Sequence, residues 1–350
     1  MTCSVVILNW NGTAVMREFL PSVLAHTTMP DTEVVVVDNG STDDSLAYLH
    51  SIEGTPQAGQ AHLRIIAFDT NYGFADGYNR AIDMLDSTYT VLLNSDVMVT
   101  EGWLQPVLDY MQSHPDVAAA QPKILSYPSL KNHQQHPDEP VTFEHAGAAG
   151  GYIDRLGYPF CRGRIMNYVA DDRHQYDTIA DIFWASGAAL FVRTEVYKQA
   201  GGLDAAFFAH MEEIDLCWRL NSRGHRIVCV PQSVVYHLGG GALAYENPKK
   251  TYLNFRNNLL MLYKNMPAAQ LAGVAVCRWV LDYVAAIHEL LIGKPQQFAA
   301  VLRARRDYWR MRGSFAGKRQ ENRRLARPTL RVPLDRRMII FDFFIRHLRE

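Results

Sequence analysis

The chain opens on short apolar runs separated by helical patterns. Ser4–Leu8 (SVVIL), Glu33–Val37 (EVVVV), Leu63–Phe68 and Thr90–Leu93 (TVLL) are too short for helices and rich in β-branched residues, so they predict strands. Between them, Val15–His26, Leu46–Ser51 and Gly77–Leu85 space their apolar residues as helices do. The strands are continuously apolar rather than alternating, which implies burial on both faces in a parallel sheet covered by helices. This order predicts an α/β fold with a doubly wound, mostly parallel, Rossmann-like sheet, whose ligands sit beyond the carboxyl ends of the strands. Polar side chains cluster at that edge in Asn9-Trp10-Asn11, Asp38-Asn39, Asp69-Thr70-Asn71 and Asn94-Ser95-Asp96.

Periodicity weakens over 121–185, where Pro122, Pro128, Pro137, Pro140 and Pro159 predict loops with short antiparallel strands. Order returns with a strand at Ala188–Arg193, a helix at His210–Ser222 and strands at Arg226–Val230 and Ser233–Tyr236. His237 and a turn at Gly239-Gly240-Gly241 close that section; after Pro248 the chain reads as largely helical. The longest apolar stretch, Leu271 to Ile292, is interrupted by Arg278, Asp282, His288 and Glu289, so no spanning helix is expected there.

With 350 residues, 48% of them hydrophobic and 20% charged, the chain is globular and not disordered. Its net charge of −1 hides a division. Residues 1–263 hold 17 Lys and Arg against 29 Asp and Glu, a balance of −12, whereas 264–350 hold 18 against 7, a balance of +11. The five cysteines form no C-x-x-C pair, and with no basic, cleavable leader pattern at the start they suggest reduced thiols in the cytoplasm. The basic segment, with Tyr308, Trp309 and Phe315 among its arginines, suits an anionic membrane surface or packing on the acidic body. No nucleic-acid recognition motif accompanies it.

Dinucleotide (G-x-G-x-x-G), P-loop and nucleophile-elbow motifs are missing, which leaves carboxylates and a histidine as candidate chemistry. Asp96, at the mouth of the sheet, suits Mg²⁺ or Mn²⁺ or a helix cap. Asp38 suits a base or ribose hydroxyl, or an Asx turn. Glu212, Glu213 and Asp215 crowd three carboxylates onto one helix, which raises the pKa of at least one and suits a general base. His237 suits a metal or a phosphate.

Taken together, SVVILNWNG, VVVVDNGSTDDS, NYGFADGYNRAI, VLLNSD, ASGAALFVRTEVYKQAGGLDAAFF, EEIDLCWRL and VYHLGGG resemble the family-2 glycosyltransferases of the GT-A fold, and within them the bacterial rhamnosyltransferase-like enzymes. The resemblance implies a glycosyltransferase domain over 1–263, with a nucleotide-sugar half at about 1–120 and an acceptor half at about 121–263, followed by a helical basic segment at 264–350. It implies that Asn9, Asn11, Asp38, Asn39, Asn71, Gly73, Phe74, Asp76, Asn94 and Asp96 hold a dTDP-, UDP- or GDP-linked sugar. Asn94-Ser95-Asp96 stands where the family carries its D-x-D metal motif, so Asp96 and His237 would hold the divalent ion. Glu213, or Glu212 beside it, would be the base of an inverting transfer, and Trp184, Phe208 and Asp215 would meet a glycan or lipid-linked acceptor. The implied setting is surface-polysaccharide synthesis at the inner face of the plasma membrane, with residues 271–350 touching the membrane. A catalytically silent scaffold of the same fold and a sugar-nucleotide pyrophosphorylase are the alternatives; the latter lacks its basic loop after the first strand.

Overall fold

The structure, a computed structural model, describes residues 1–55, 61–239, 247–327 and 334–349. Its first part is β1 (Cys3–Asn9), α1 (Thr13–His26), β2 (Thr32–Asn39), α2 (Ser45–Ile52), β3 (His62–Phe68), α3 (Gly73–Asp83) and β4 (Tyr89–Asn94). These strands pair in parallel in the order β3-β2-β1-β4, with Ile7 opposite both Val36 and Leu93. Every residue of β2 is buried, as its unbroken apolar run requires.

The chain continues through β5 (Val97–Val99), α4 (Gln105–Ser113), β6 (Val117–Ser126) and α5 (Tyr127–Gln135). A small antiparallel sheet follows, made of β7 (Gly151–Ile153), β8 (Pro159–Cys161), β9 (Arg164–Ile165) and β10 (Tyr168–Val169). Next come β11 (Ala180–Asp181), β12 (Ala189–Arg193), α6 (Thr194–Gln199), α7 (Glu212–Ser222) and β13 (Arg226–His237). In the main sheet β12 runs antiparallel between β4 and β6, and β13 lies parallel to β6. The structure ends in helices α8 (Pro248–Asn265), α9 (Ala268–Leu291), α10 (Pro295–Met311), α11 (Ala316–Leu325) and α12 (Ile339–Phe344).

The proline-rich section differs from expectation in one respect. The small sheet matches the predicted short antiparallel strands, but β6 is a buried ten-residue strand of the main sheet with Pro122 inside it. Pro122 has no N–H to give the ladder, and β13 answers with a bulge: Val230 faces Pro122 and Val234 faces Lys123. That bulge, with Pro231 in it, is why the sequence suggests two strands at Arg226–Val230 and Ser233–Tyr236 where one runs through. α3 starts four residues before the expected Gly77, because Gly73 takes φ +77° and its N–H donates to Asn71 Oδ1 at 2.7 Å. Beyond Gly239, the expected glycine turn lies outside the described residues.

The basic C-terminal region packs on the acidic body through particular ion pairs. Lys264 on α8 donates to Asp204 and Asp215 at 2.7 Å each, and Lys318 on α11 reaches Asp204 at 2.6 Å. In α9, Arg278 and Asp282 are buried; Asp282 accepts from Arg278 and from Arg305 of α10.

Candidate functional site

The polar ends of the parallel strands come together as expected. Asn9 Nδ2 donates to Asp38 Oδ1 at 3.3 Å, and the other Asp38 oxygen accepts the Ser41 N–H at 3.0 Å. Asn9 Oδ1 is buried without a partner, an acceptor left open at the mouth of β1. Asn11, at φ +50°, receives the Thr42 N–H on its side-chain oxygen at 2.7 Å, clamping the first loop to the second. Gly40, at φ +71°, lets that second loop press on the third: an added Cβ would lie 2.5 Å from the Thr70 carbonyl carbon. Asn39 Nδ2 donates to Asn71 Oδ1 at 3.0 Å and to the Gly73 carbonyl at 3.1 Å, fixing the start of α3. Asp76 is turned to Arg80, one helical turn on, at 2.8 Å.

At the end of β4 the structure joins Asp96 to His237. Strand β5 pairs antiparallel with β13, so Val97 lies opposite His237. His237 Nε2 consequently sits 3.1 Å from Asp96 Oδ1 and 3.3 Å from Asn94 Nδ2. The other ring nitrogen, Nδ1, is 3.4 Å from Glu144 Oε2. Burial alone would lower the His237 pKa, but the two carboxylates outweigh it and push it up to about 10. Burial would raise Asp96 and Glu144; the hydrogen bond and charge of His237 hold both below their usual range. Asp96 and the Nε2 face of His237 offer one carboxylate oxygen and one imidazole nitrogen on the same side, donors that Mg²⁺ or Mn²⁺ accepts, the nitrogen once its proton is lost.

α7 begins at Glu212, two residues later than expected, because Phe208, His210 and Met211 all take positive φ. Non-glycine residues hold that conformation only when their surroundings impose it. Here α8 imposes it: the buried Asn257 Nδ2 lies within 2.9 Å of the carbonyls of Phe207, Ala209 and His210, and Arg256 donates to that of Phe207. Glu212 and Glu213 thereby occupy the first turn of α7. Burial pushes both carboxyls up, Glu213 to about 7, and the neighbouring Glu213 charge raises Glu212 further. Each keeps an unpartnered Oε2. Glu212 is sealed at 4% exposure, whereas Glu213 is half-buried. An added Cβ on Gly187 would touch Phe74 at 3.7 Å and Glu213 at 3.8 Å, and the next residue, Ala188, pairs its carbonyl with the Asn94 N–H. The base candidate, Phe74 and the Asn94–Asp96 turn thus share one edge.

The acceptor candidates separate. Phe208 is 51% exposed and lies near Gly73, an open aromatic wall. Trp184 is instead a core residue: it packs on Gly151 and donates its indole N–H to the Tyr152 carbonyl at 2.9 Å. Asp215 is fully buried, with both oxygens taken by Arg219, Lys264 and Asn265, so it anchors α7 and offers nothing to an acceptor. Sequence reading missed Glu144 and Asn257, which stand in no motif.

Among the described residues, Asp172, His174 and Asp177 also bring three potential ligand atoms together, but Lys123 pairs with both carboxylates and supplies the positive charge there.

Residues 4–171 match the Glycosyl transferase family 2 profile. The chain is 28% identical over 252 residues to N-acetylglucosaminyl-diphospho-decaprenol L-rhamnosyltransferase of Mycobacterium tuberculosis, covering 67% of this chain and 75% of that protein. Among solved structures it resembles TarS of S. aureus in complex with UDP-GlcNAc, at TM-score 0.53 and 16% identity over 93% of this chain and 90% of the other. It also resembles the mannosyltransferase PcManGT of Pyrobaculum calidifontis, in complex with GDP-Man and Mn²⁺, at TM-score 0.53 and 13% identity over 88% and 86%.

Proposed function

We propose that this chain, a glycosyltransferase whose residues 4–171 match the family-2 profile and whose fold is that of GT-A enzymes, transfers a sugar from a nucleotide-diphosphate donor with inversion. The observation that carries this reading is the meeting, at one sheet edge, of the Asp96–His237 pair with a half-buried Glu213 whose pKa is pushed up to about 7. Asp38 and the open oxygen of Asn9 would receive hydrogen-bond donors of the base or ribose, and Asn39 and Asn71 hold the loop beside them. Asp96 and His237 would hold a divalent ion, which when bound supplies positive charge against the diphosphate.

Glu213, which is only half-buried, would deprotonate an acceptor hydroxyl aligned opposite the leaving diphosphate, so that one displacement inverts the anomeric carbon. Phe208 would stack on the acceptor sugar and Phe74 would help keep water from the donor. The name of the mycobacterial relative supports rhamnose as the sugar and a lipid-linked diphosphate as the acceptor.

The structure also redirects the membrane expectation. α9 is long and apolar enough by length and composition to cross a membrane. Two of the polar residues that argued against this, Arg278 and Asp282, point into the protein. The outward side carries Val276, Trp279, Val280, Val284, Ile287 and Leu291, each at least 48% exposed. We propose that this stripe, more than the arginine run, meets the lipid surface on which such an acceptor is presented.

Calorimetric titration with dTDP, UDP and GDP, each with and without Mn²⁺, tests the donor reading. Metal-dependent binding of one nucleotide is expected. No binding of any with Mn²⁺ present overturns it in favour of a silent scaffold, and release of pyrophosphate instead of nucleoside diphosphate during turnover would mark a pyrophosphorylase.

A further inference from the structure

Glu144 lies outside every motif of the sequence, yet it reaches the centre of the site by strand pairing. Leu125 of β6 bridges to Phe143, and the Glu144 N–H donates to the Ile124 carbonyl at 3.0 Å. Strand β13 lies on the other side of the same stretch of β6, with Ser126 opposite His237. The imidazole thus has a carboxylate on either side, Asp96 from the turn before β5 and Glu144 from the segment that bridges to β6.

The two nitrogens differ in what they face. Nε2 faces Asp96 and Asn94, whereas Nδ1 is buried without a hydrogen-bond partner and its facing carboxylate oxygen is Glu144 Oε2, at 3.4 Å. The carboxylate is itself held, since its Oε2 accepts the Ala146 N–H. Room for it depends on Gly239, at φ +71°, where an added Cβ would lie 2.6 Å from Glu144 Oε1. A histidine that ligates a metal through one nitrogen commonly donates the other N–H to a carboxylate, which fixes both tautomer and ring orientation.

We propose that Glu144 is the positioning residue of the ion site: it accepts the Nδ1–H of His237 and so aims Nε2, with Asp96, at the divalent cation. This rests on the metal-dependent reading above and adds a residue to it. Asn94 supplies no charge to the cation, so the orientation of His237 carries more of the affinity here than it would beside two aspartates.

Mn²⁺ affinity of the full chain, measured by the electron paramagnetic resonance of free Mn²⁺ in the presence of whichever of dTDP, UDP or GDP binds, tests this without turnover. Asp96→Asn is the control for the site; if it leaves Mn²⁺ affinity unchanged, the metal reading itself fails. Glu144→Ala is expected to weaken Mn²⁺ roughly 10- to 100-fold. Glu144→Gln, which keeps an acceptor oxygen, is expected to stay within about threefold of wild type by the same logic. Wild-type affinity in Glu144→Ala, with Asp96→Asn impaired, overturns the role of Glu144 alone. Loss in Glu144→Gln as deep as in Glu144→Ala also overturns it, because the carboxylate would then be a ligand itself. Should Glu144→Ala fail to fold, nitrogen NMR of histidine-labelled wild type loaded with Mg²⁺, assigned against His237→Gln, decides: a protonated Nδ1 is expected, and a protonated Nε2 with bare Nδ1 refutes the proposal.

Discussion

Replacing Glu213 with Gln tests the base and its environment in one variant. The carboxyl is raised from its ordinary 4.5 to about 7, chiefly by burial. Between those values the unfolded chain has released this proton while the folded chain still holds it, so wild-type stability falls as pH rises through that window. A shift of about 2.5 units at about 1.4 kcal/mol each gives about 3 kcal/mol lost by pH 8, an upper value because Glu212 shares the burden. The amide introduced by Glu213→Gln has no such proton to lose. The variant should therefore gain on wild type by up to about 3 kcal/mol between pH 4.5 and pH 8 in urea unfolding. It should abolish transfer while leaving nucleotide affinity unchanged. In wild type, kcat/KM should rise with pH through a midpoint near 7 as the base becomes ionised. Retained turnover in the variant, or a stability difference that does not change with pH, would refute the argument.

Three further outcomes follow from the same geometry. Asn257→Ala frees the carbonyls of the strained loop before α7 and should lower kcat roughly 10- to 100-fold with nucleotide Kd unchanged, as stopped assays and calorimetry would show. Lys264→Met leaves Asp204 with Lys318 and Asp215 with Arg219 and Asn265, so its cost should fall near the low end for a broken buried pair, about 3 kcal/mol in urea unfolding. Trp279→Ser with Ile287→Ser should weaken sedimentation with phosphatidylglycerol vesicles by roughly 100-fold or more, from about 1.5–3 kcal/mol for each of the two side chains withdrawn from lipid; unchanged sedimentation would remove α9 from the membrane reading.

Where side chains announce their surroundings, the sequence foretells the structure well. β1, β2 and β4 are legible because a strand buried on both faces must be continuously apolar, whereas β3, expected to be buried likewise, is a part-exposed edge strand. The nucleotide-side turns are legible because their Asn and Asp residues stop those strands at a common edge. Strand β6 escapes because three alanines, Gln121 and Pro122 carry little strand signal, and its place is decided by the neighbours β12 and β13. Trp184 and Asp215 are misread for a related reason. An aromatic near Gly187 and an acid on the α7 face look equally available to a substrate, until packing on Gly151 and pairing with Lys264, which is 49 residues away in sequence, remove them. Glu144 and Asn257 act through contacts 93 and 47–50 residues distant, and no local spacing encodes such contacts.

The charge division of the chain takes on a physical meaning once those contacts are seen. Asp204 and Asp215 belong to the acidic body and both are largely out of solvent, a position that would be costly for unpaired carboxylates. Lys264 bridges them and Lys318 adds a second partner to Asp204, so cations from the basic C-terminal part neutralise acids at the root of α7. The same helix α8 that supplies Lys264 also supplies Asn257 and Arg256 to the strained loop at the other end of the approach to Glu213. The proposed base, Glu213, is thus fixed along its helix by ion pairs and across its preceding loop by amide contacts, all from residues beyond 248. On this reasoning the C-terminal helices complete the geometry of the proposed catalytic edge, and a chain cut before α8 should lose the alignment of Glu213 before it loses the loops that follow β1 to β4.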